Sequence, residues 1–544
     1  MKIIKIACLC LLVGFGAFAQ NNKSQKPKLV VGVVVDQMRY DYLKRFDNKF
    51  GENGFKKLIR EGYNLNNVHF NYIPTYTAVG HTSIYTGTTP FNHGIIGNNW
   101  YDKDLKKSIY CVDDDRYETV GAKKGGKKSP YRMQSTTVTD QLHMAQQMNG
   151  KTIGISIKDR SAVLPAGHTA NAAYWFQGKA DGKFITSTFY MKKLPKWAKD
   201  FNKSGTAKKY LNTPWVTKYP IKTYTESLPD DNPYEGLFEG EKTPTFPHDI
   251  PNLQADNGGY DILKSTPLGN TIVNDFAKAA IIGENLGKGK YTDFLAISYS
   301  STDYIGHKYG VDSKEIEDTY IRLDQDIADL ISFLDKQVGK DNYTLFLTAD
   351  HAVVPVPSYL QSIKIPAIYM DRKAFVKRAL EITKTYFNSS SLVENISNYQ
   401  IFLNKKRMHE LGLKANDVAQ TLADELVSFK GVYKTVTAHT LQTTSFDGGI
   451  LKSLQNGYNQ KLSGDVFIVP KPATISYPKT GSTHGSGYNY DTHVPLIFYG
   501  NGIKKGVSNV HHPIIDIAPT IAALLEIEFT NANTGKIIHK VLKD

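Results

Sequence analysis

Leu29-Val30-Val31-Gly32-Val33-Val34-Val35-Asp36 decides the fold of this chain. A run of seven apolar, mostly β-branched residues without alternation reads as a strand buried on both faces, the mark of a parallel sheet. It stops abruptly at an aspartate. The form recurs: Thr152 to Ile157 stops at Lys158, Phe294 to Tyr299 stops near Asp303, and Thr344 to Leu347 stops near Asp350-His351. Pro495 to Tyr499 is a further short apolar run. Ile316, Tyr320, Leu323, Ile327, Leu330, Leu334 and Val338 recur at steps of three and four, giving one apolar helix face between two of these strands. Strand, amphipathic helix, strand is a βαβ unit, so the expected fold is α/β, with a mostly parallel central sheet flanked by helices. Asp516 to Leu525 reads as one more helix.

Two stretches break this pattern. From about 176 to 267 the chain is rich in Lys, Pro, Gly, Asp and aromatics, with little periodicity. From about 365 to 460 it carries helix-like patterns of its own, such as Val418 to Phe429. Both are expected to be insertions over the active-site edge of one catalytic domain spanning 20–544. Residues 1–19 read as a signal peptide: a basic start at Lys2 and Lys5, an apolar run from Ile6 to Phe18 too short to span a bilayer, and the small residues of Ala17-Phe18-Ala19 before Gln20. The expected location is therefore periplasmic or secreted, with no membrane span after cleavage. Cleavage leaves Cys111 as the sole cysteine, so the mature chain has no internal disulfide, although export would permit one.

The formal charge is +14, and removing the two lysines of the leader leaves +12. The basic residues are spread along the chain, in short groups such as Lys123-Lys124 and Lys127-Lys128, without an aromatic-interleaved stripe. That disfavours nucleic acid as a specific partner and suits small anionic substrates. A monomer is expected.

In open α/β sheets the carboxyl ends of the strands form the ligand crevice. Here those ends carry Asp36, Asp303, Asp350 and His351, with His307 four residues beyond Asp303. His484, in Gly481-Ser482-Thr483-His484-Gly485, completes a set of three carboxylates and three imidazoles. Each motif alone is as well read as a turn or a helix cap. Together they suit two borderline divalent ions, for which zinc is the natural choice. Asn71-Tyr72-Ile73-Pro74-Thr75-Tyr76-Thr77-Ala78-Val79-Gly80-His81-Thr82 offers a nucleophile at a helix start. A free hydroxyl attacks poorly unless a metal lowers its pKa. Hydroxyl chemistry does not choose among Thr75, Thr77 and Thr82.

The ordered motifs resemble the alkaline phosphatase superfamily. They are Asp36 after its strand, Pro74-Thr75-Tyr76-Thr77, Gly80-His81-Thr82-Ser83-Ile84-Tyr85-Thr86-Gly87, Asp303-Tyr304-Ile305-Gly306-His307, Thr348-Ala349-Asp350-His351 and Thr483-His484-Gly485. With Ile157-Lys158-Asp159-Arg160 and Pro165-Ala166-Gly167-His168, the chain is most similar to the phosphate-irrepressible alkaline phosphatases, which use a threonine nucleophile. The resemblance implies two Zn²⁺ per chain. Asp303, His307 and His484 would hold one ion, and Asp36, Asp350 and His351 the other, with Thr77 as its exchangeable ligand and the attacking group. Asn98 (with Asn99 as nearest rival), Lys158 and Arg160 would contact phosphoryl oxygens. Two in-line steps through a phosphothreonine imply net retention at phosphorus.

Charge sharpens the expected substrate. Two Zn²⁺, Lys158 and Arg160 outweigh the three aspartates by +3, and by +2 once Thr77 ionises, which a phosphate monoester dianion balances. Broad phosphomonoester hydrolysis is the expected function. The alternatives are a phosphodiesterase or nucleotide pyrophosphatase on the same two-metal scaffold, and a secreted non-catalytic metal-binding protein. The latter fits poorly, because structural zinc sites are closed and cysteine-rich. Cys111, in Tyr110-Cys111-Val112-Asp113, does not fit a sulfatase nucleophile motif.

Overall fold

The structure is a computed structural model, which describes residues 26–543 apart from Ala180. The expected signal peptide lies outside the described residues. Eight strands build the main sheet: β1 (Leu29–Val35), β2 (Tyr63–His69), β3 (Thr152–Ser156), β4 (Ala172–Gln177), β5 (Lys183–Ser187), β6 (Asp293–Tyr299), β7 (Tyr343–Thr348) and β8 (His493–Gly500). Their spatial order is β2-β8-β7-β1-β6-β3-β4-β5, with short strands at Gly506–Ser508 and His512–Pro513 beside β2 and at Thr119–Val120 beside β5. The middle of the sheet, from β7 to β4, is parallel. β8 is antiparallel to β7 and β2, and β5 is antiparallel to β4. The apolar run at 495–499 is thus a reversed strand, and part of the stretch after 176 joins the sheet.

All seven residues of β1 are buried, as are those of β6. Each buried branched side chain contributes about 1.5–3 kcal/mol, which explains runs without polar alternation. Register then places the chemistry. Val35 pairs with Tyr299, Val34 with Thr348, and Ser156 with Ser298. β1, β3, β6 and β7 therefore end nearly level, so the residues that follow them share one edge.

Four helices matter to that edge: α1 (Thr77–Thr86), α2 (Asp159–Ala166), α3 (Ser301–Tyr309) and α4 (Lys314–Leu334). α4 is the helix read from the periodicity. The Ser313 hydroxyl accepts from Ile316 N at its start, and the helix runs into a π-helical turn at Asp335–Gly339.

A second, antiparallel sheet of Val393–Ser397, Gln400–Leu403, Val466–Pro470 and Val432–Thr437, in that spatial order, falls between β7 and β8 in the chain. With helices Arg372–Phe387 and Ala415–Leu426 it has a core of its own, including Phe375, Ile382, Ile401, Val418 and Leu422. The chains leading to and from this unit touch: Ser482 Oγ donates to Val354 O at 2.5 Å. The 212–267 stretch packs against the site from another side, with Gly236 N donating to Lys308 O (2.8 Å) and Gly481 N to Tyr234 O (2.8 Å).

Candidate active site

Asp36, Lys158, Asp303, Asp350 and His351 follow the level strand ends, and α1 brings Thr77 to them. Gly80 makes that approach possible: a Cβ there would lie 2.0 Å from the Asp350 carbonyl oxygen. α1 therefore docks directly on the Asp350 backbone. Thr77 is the first residue of α1, and Tyr76 stands at the cap position without a side-chain cap bond.

The three candidate threonines now differ. Thr75 Oγ1 donates to Ser486 O (2.9 Å), and Thr82 Oγ1 donates to Ala78 O (2.7 Å). Thr77 Oγ1 instead faces His351 Nε2 and Arg160 Nη2, both at 3.5 Å. Asn98 Oδ1 accepts from Ala78 N (2.9 Å), which leaves its amide N–H groups to donate. Asn99 points outward and is exposed.

The imidazoles are oriented by their far nitrogens. His307 Nδ1 donates to Ser482 O (2.7 Å), His484 Nδ1 to Thr75 O (2.7 Å) and His351 Nδ1 to Ala352 O (3.0 Å). A carbonyl only accepts, so each Nε2 lone pair is turned to the carboxylates, as metal-ligating histidines require. His307 Nε2 lies 3.2 Å and His484 Nε2 3.6 Å from Asp303 Oδ1; His351 Nε2 lies 3.4 Å from Asp36 Oδ1. The His351 and His484 rings stack at 3.5 Å.

Among the described residues, two sets of donor atoms lie within 4.8 Å of one another: Asp36, Asp350 and His351, and Asp303, His351 and His484. The first is the expected set. In the second His351 stands where His307 was expected, while His307 touches Asp303 from the side. Asp36 Oδ1 and Asp350 Oδ2 are buried without a hydrogen-bond partner. His81 Nδ1 is 3.2 Å from Asp350 Oδ2 but donates to Thr77 O (2.9 Å), so that contact with Asp350 is electrostatic. Orphaned carboxylate oxygens beside imidazole lone pairs fit divalent ions of zinc's type.

Lys158 is the buried cation of the site. Its Nζ donates to Asp36 Oδ2 (2.6 Å) and Asp303 Oδ2 (2.5 Å) and lies over the Tyr304 ring. Burial would discharge it, but Asp303 and Asp36 outweigh burial and hold it charged. Burial, then the charge of Asp350, pushes the Asp36 carboxyl well above the usual range, against the pull of Lys158. Burial would also raise Asp303 and Asp350. His307 and Lys158 overcome it for the first, His81 and Lys158 for the second, and both stay below the ordinary value. Burial drives His351 down to about 3 and lowers His484, so both are neutral, as metal ligands must be.

Several participants are invisible to motif reading. Gln37 adopts φ 65°, donates from Nε2 to Asp303 Oδ1 (2.7 Å) and from its backbone N to Asp350 Oδ1 (3.1 Å). Gly306 makes room for it, since a Cβ there would sit 1.9 Å from Gln37 Oε1. Tyr110 accepts from Arg160 Nη1 (3.0 Å) and donates to Asp159 Oδ1 (2.5 Å), which aims the guanidinium. Thr302 Oγ1 donates to the Asp36 carbonyl (2.5 Å). The signal for Gln37 was its place directly after Asp36; nothing in the sequence pairs Tyr110 with Arg160.

Level strand ends that gather carboxylates and imidazoles around a helix-borne hydroxyl define a metal-dependent hydrolase scaffold. The chain belongs to the type I phosphodiesterase / nucleotide pyrophosphatase family, within the alkaline phosphatase superfamily; the family model matches residues 30–493. It is 46% identical over 547 residues to a protein named "Calcium-transporting ATPase" from Myroides odoratus, covering 100% of this chain and 99% of that one. It is 44% identical over 530 residues to alkaline phosphatase PafA of Elizabethkingia meningoseptica, covering 96% of each chain. The crystal structure of wild-type alkaline phosphatase PafA superposes with a TM-score of 0.92 at 43% identity, over 95% of this chain and 99% of that chain. No helix among the described residues is long and apolar enough to cross a membrane.

Proposed function

We propose that this chain is an exported alkaline phosphatase that hydrolyses phosphate monoesters through a phosphothreonine on Thr77 and releases inorganic phosphate. Kinship with PafA over nearly the full chain supports the monoester hydrolase reading. The observation that carries the Thr77 role is its hydroxyl: the two rival threonines spend theirs on backbone carbonyls, whereas Thr77 presents its own to His351 and Arg160.

Asp36, Asp350 and His351 would hold one zinc ion beside Thr77, and Asp303, His307 and His484 a second. When bound, such ions lower hydroxyl and water pKa values and offset the charge of entering and leaving oxygens. The chain's own groups do the rest. The Arg160 guanidinium, braced by Tyr110, and the Asn98 amide hold phosphoryl oxygens in line with Thr77 Oγ1. Lys158 balances the aspartates and adds positive charge next to the phosphoryl group. Thr77 displaces the alcohol, and water then cleaves the phosphothreonine on the same axis, so phosphorus configuration is retained overall.

The test is nitrophenyl phosphate turnover by the zinc-loaded protein, with and without chelator, together with mass analysis of acid-quenched enzyme. Turnover abolished by chelator and a phosphate on Thr77 are expected. A Thr77→Ala variant that still forms a phosphoenzyme would overturn the assignment.

A further inference from the structure

A cleft of about 290 Å³ opens beside this site, between the main sheet and the smaller antiparallel unit. Tyr76, Thr483 and His484 line it from the catalytic side; Phe375, Asn398 and Tyr399 line it from the small unit. We propose that it is the leaving-group site and that it takes planar aromatic alcohols, the aryl or nucleoside part of a phosphate monoester. The proposal rests on the monoesterase reading and adds the alcohol that the reading leaves open.

Position is the first argument. In-line attack by Thr77 expels the alcohol on the side opposite the nucleophile. In the proposed scheme that side belongs to Asp303, His307 and His484, and the cleft opens at His484. Tyr76 precedes Thr77 directly, and its ring meets the His484 ring edge-on at 5.9 Å. An alcohol leaving there passes between Tyr76 and the small unit.

Chemistry is the second. Phe375, Tyr76 and Tyr399 supply ring surface, and Arg372, Asn398 and Thr483 are among its polar lining. Such a mix of aromatic walls and a few polar groups, at the small end of the usual ligand-pocket range of roughly 300 Å³ upward, fits a flat ring rather than a methyl or glyceryl group.

The third is the effort spent on placing Tyr399. Asn398 and Tyr399 form the tip between Val393–Ser397 and Gln400–Leu403, with φ values of 51° and 57°. Asparagine takes that left-handed region readily, as two-residue hairpin turns require, but a bulky tyrosine does not. The tip is held by Asn398 Nδ2 donating to Asn99 O (2.7 Å) and Ile468 N donating to Tyr399 O (2.9 Å). The first of these bonds ties the tip to the residue after Asn98, so the small unit is registered against the phosphoryl-binding segment itself.

The experiment compares kcat/KM for phenyl phosphate and adenosine monophosphate with that for methyl phosphate in the wild type, Tyr399→Ala, Tyr399→Leu and Tyr399→Phe. The aromatic-to-methyl ratio should fall about tenfold in the alanine and leucine variants and stay at the wild-type value in the phenylalanine variant. Calorimetric binding of benzylphosphonate against methylphosphonate supplies the same ratio without turnover, and the benzyl preference should fall by the same factor. Unchanged ratios in the alanine and leucine variants would overturn the proposal. Wild-type protein that turns over none of the three monoesters would overturn the parent reading instead, and the phosphonate pair then decides the cleft alone.

Discussion

Lys158→Met isolates what keeps three aspartates buried side by side. The ammonium bridges Asp36 and Asp303 at 2.6 and 2.5 Å, with 1% of its side chain exposed. Methionine keeps the stem and its packing against Tyr304 but removes the charge. Taking one partner from a buried ion pair costs about 3–5 kcal/mol, because the remaining charge stays desolvated. Here two carboxylates lose the same partner. Protonation relieves part of the strain, and Asp36, already raised by burial and Asp350, is the carboxyl that takes the proton. The sign follows. An acid whose folded pKa is raised above its unfolded value loses stability as pH rises toward the folded pKa, by about 1.4 kcal/mol per unit. The penalty is therefore smaller at pH 6 than at pH 8. Urea unfolding of chelator-treated wild type and variant, followed by tryptophan fluorescence at both pH values, should show a loss of about 3–5 kcal/mol at pH 8. Added zinc should restore most of it, since divalent charge at the same carboxylates replaces the ammonium. A variant as stable as wild type at pH 8, or one hurt more at pH 6, would refute the reasoning.

Replacing both Lys158 and Arg160 with alanine should lower kcat/KM for a monoester at least about tenfold more than for a diester, because the second charge of the dianion loses its partners; equal losses would sink the charge argument. Gly80→Ala drives a methyl into the Asp350 carbonyl, so it should cost about 1–3 kcal/mol and loosen zinc retention on dialysis, and wild-type behaviour in both would contradict the docking of α1. His248 lies buried between Glu241 (2.7 Å) and Glu315 (3.2 Å). Burial would lower its pKa, but the two glutamates outweigh burial and raise it to about 9. Its contribution is thus full below about pH 6.5 and lost as pH rises through about 9. The stability gap between wild type and His248→Gln should be about 3 kcal/mol at pH 6, shrink from about pH 6.5 upward and be lost by about pH 9, and a gap that widens with pH would be the wrong sign.

The parallel heart of the sheet was legible because β1, β3, β6 and β7 are buried on both faces and so carry no polar alternation. The polar residue that ends each run marks the crevice for the same reason. β8 has the same apolar look as its neighbours, and an apolar run does not encode strand direction. The small sheet was hidden too. Val393–Ser397 is only half-buried along its length and includes Glu394 and Asn395, so no clean period of two survives. Within the site, residues that act through side-chain chemistry announced themselves, whereas those that act through backbone placement did not. Gln37 matters because of a left-handed turn, and Gly306 because of the space it leaves. Neither property follows from residue type. Thr77 lay between: its segment was readable, but its distinction from Thr75 and Thr82 depends on which carbonyls the rivals reach.

The hydrogen bond between Ser482 and Val354 has a meaning for descent as well as for stability. It joins the two feet of the small unit, just beyond His351 on one side and just before His484 on the other. Once the ends of such a segment are held together, each doubling of its length adds only about 0.6 kcal/mol of closure entropy. It can be lengthened, shortened or exchanged as a cassette while both histidines keep their places. Variation in such a cassette lets one hydrolytic centre be inherited unchanged while its clientele drifts.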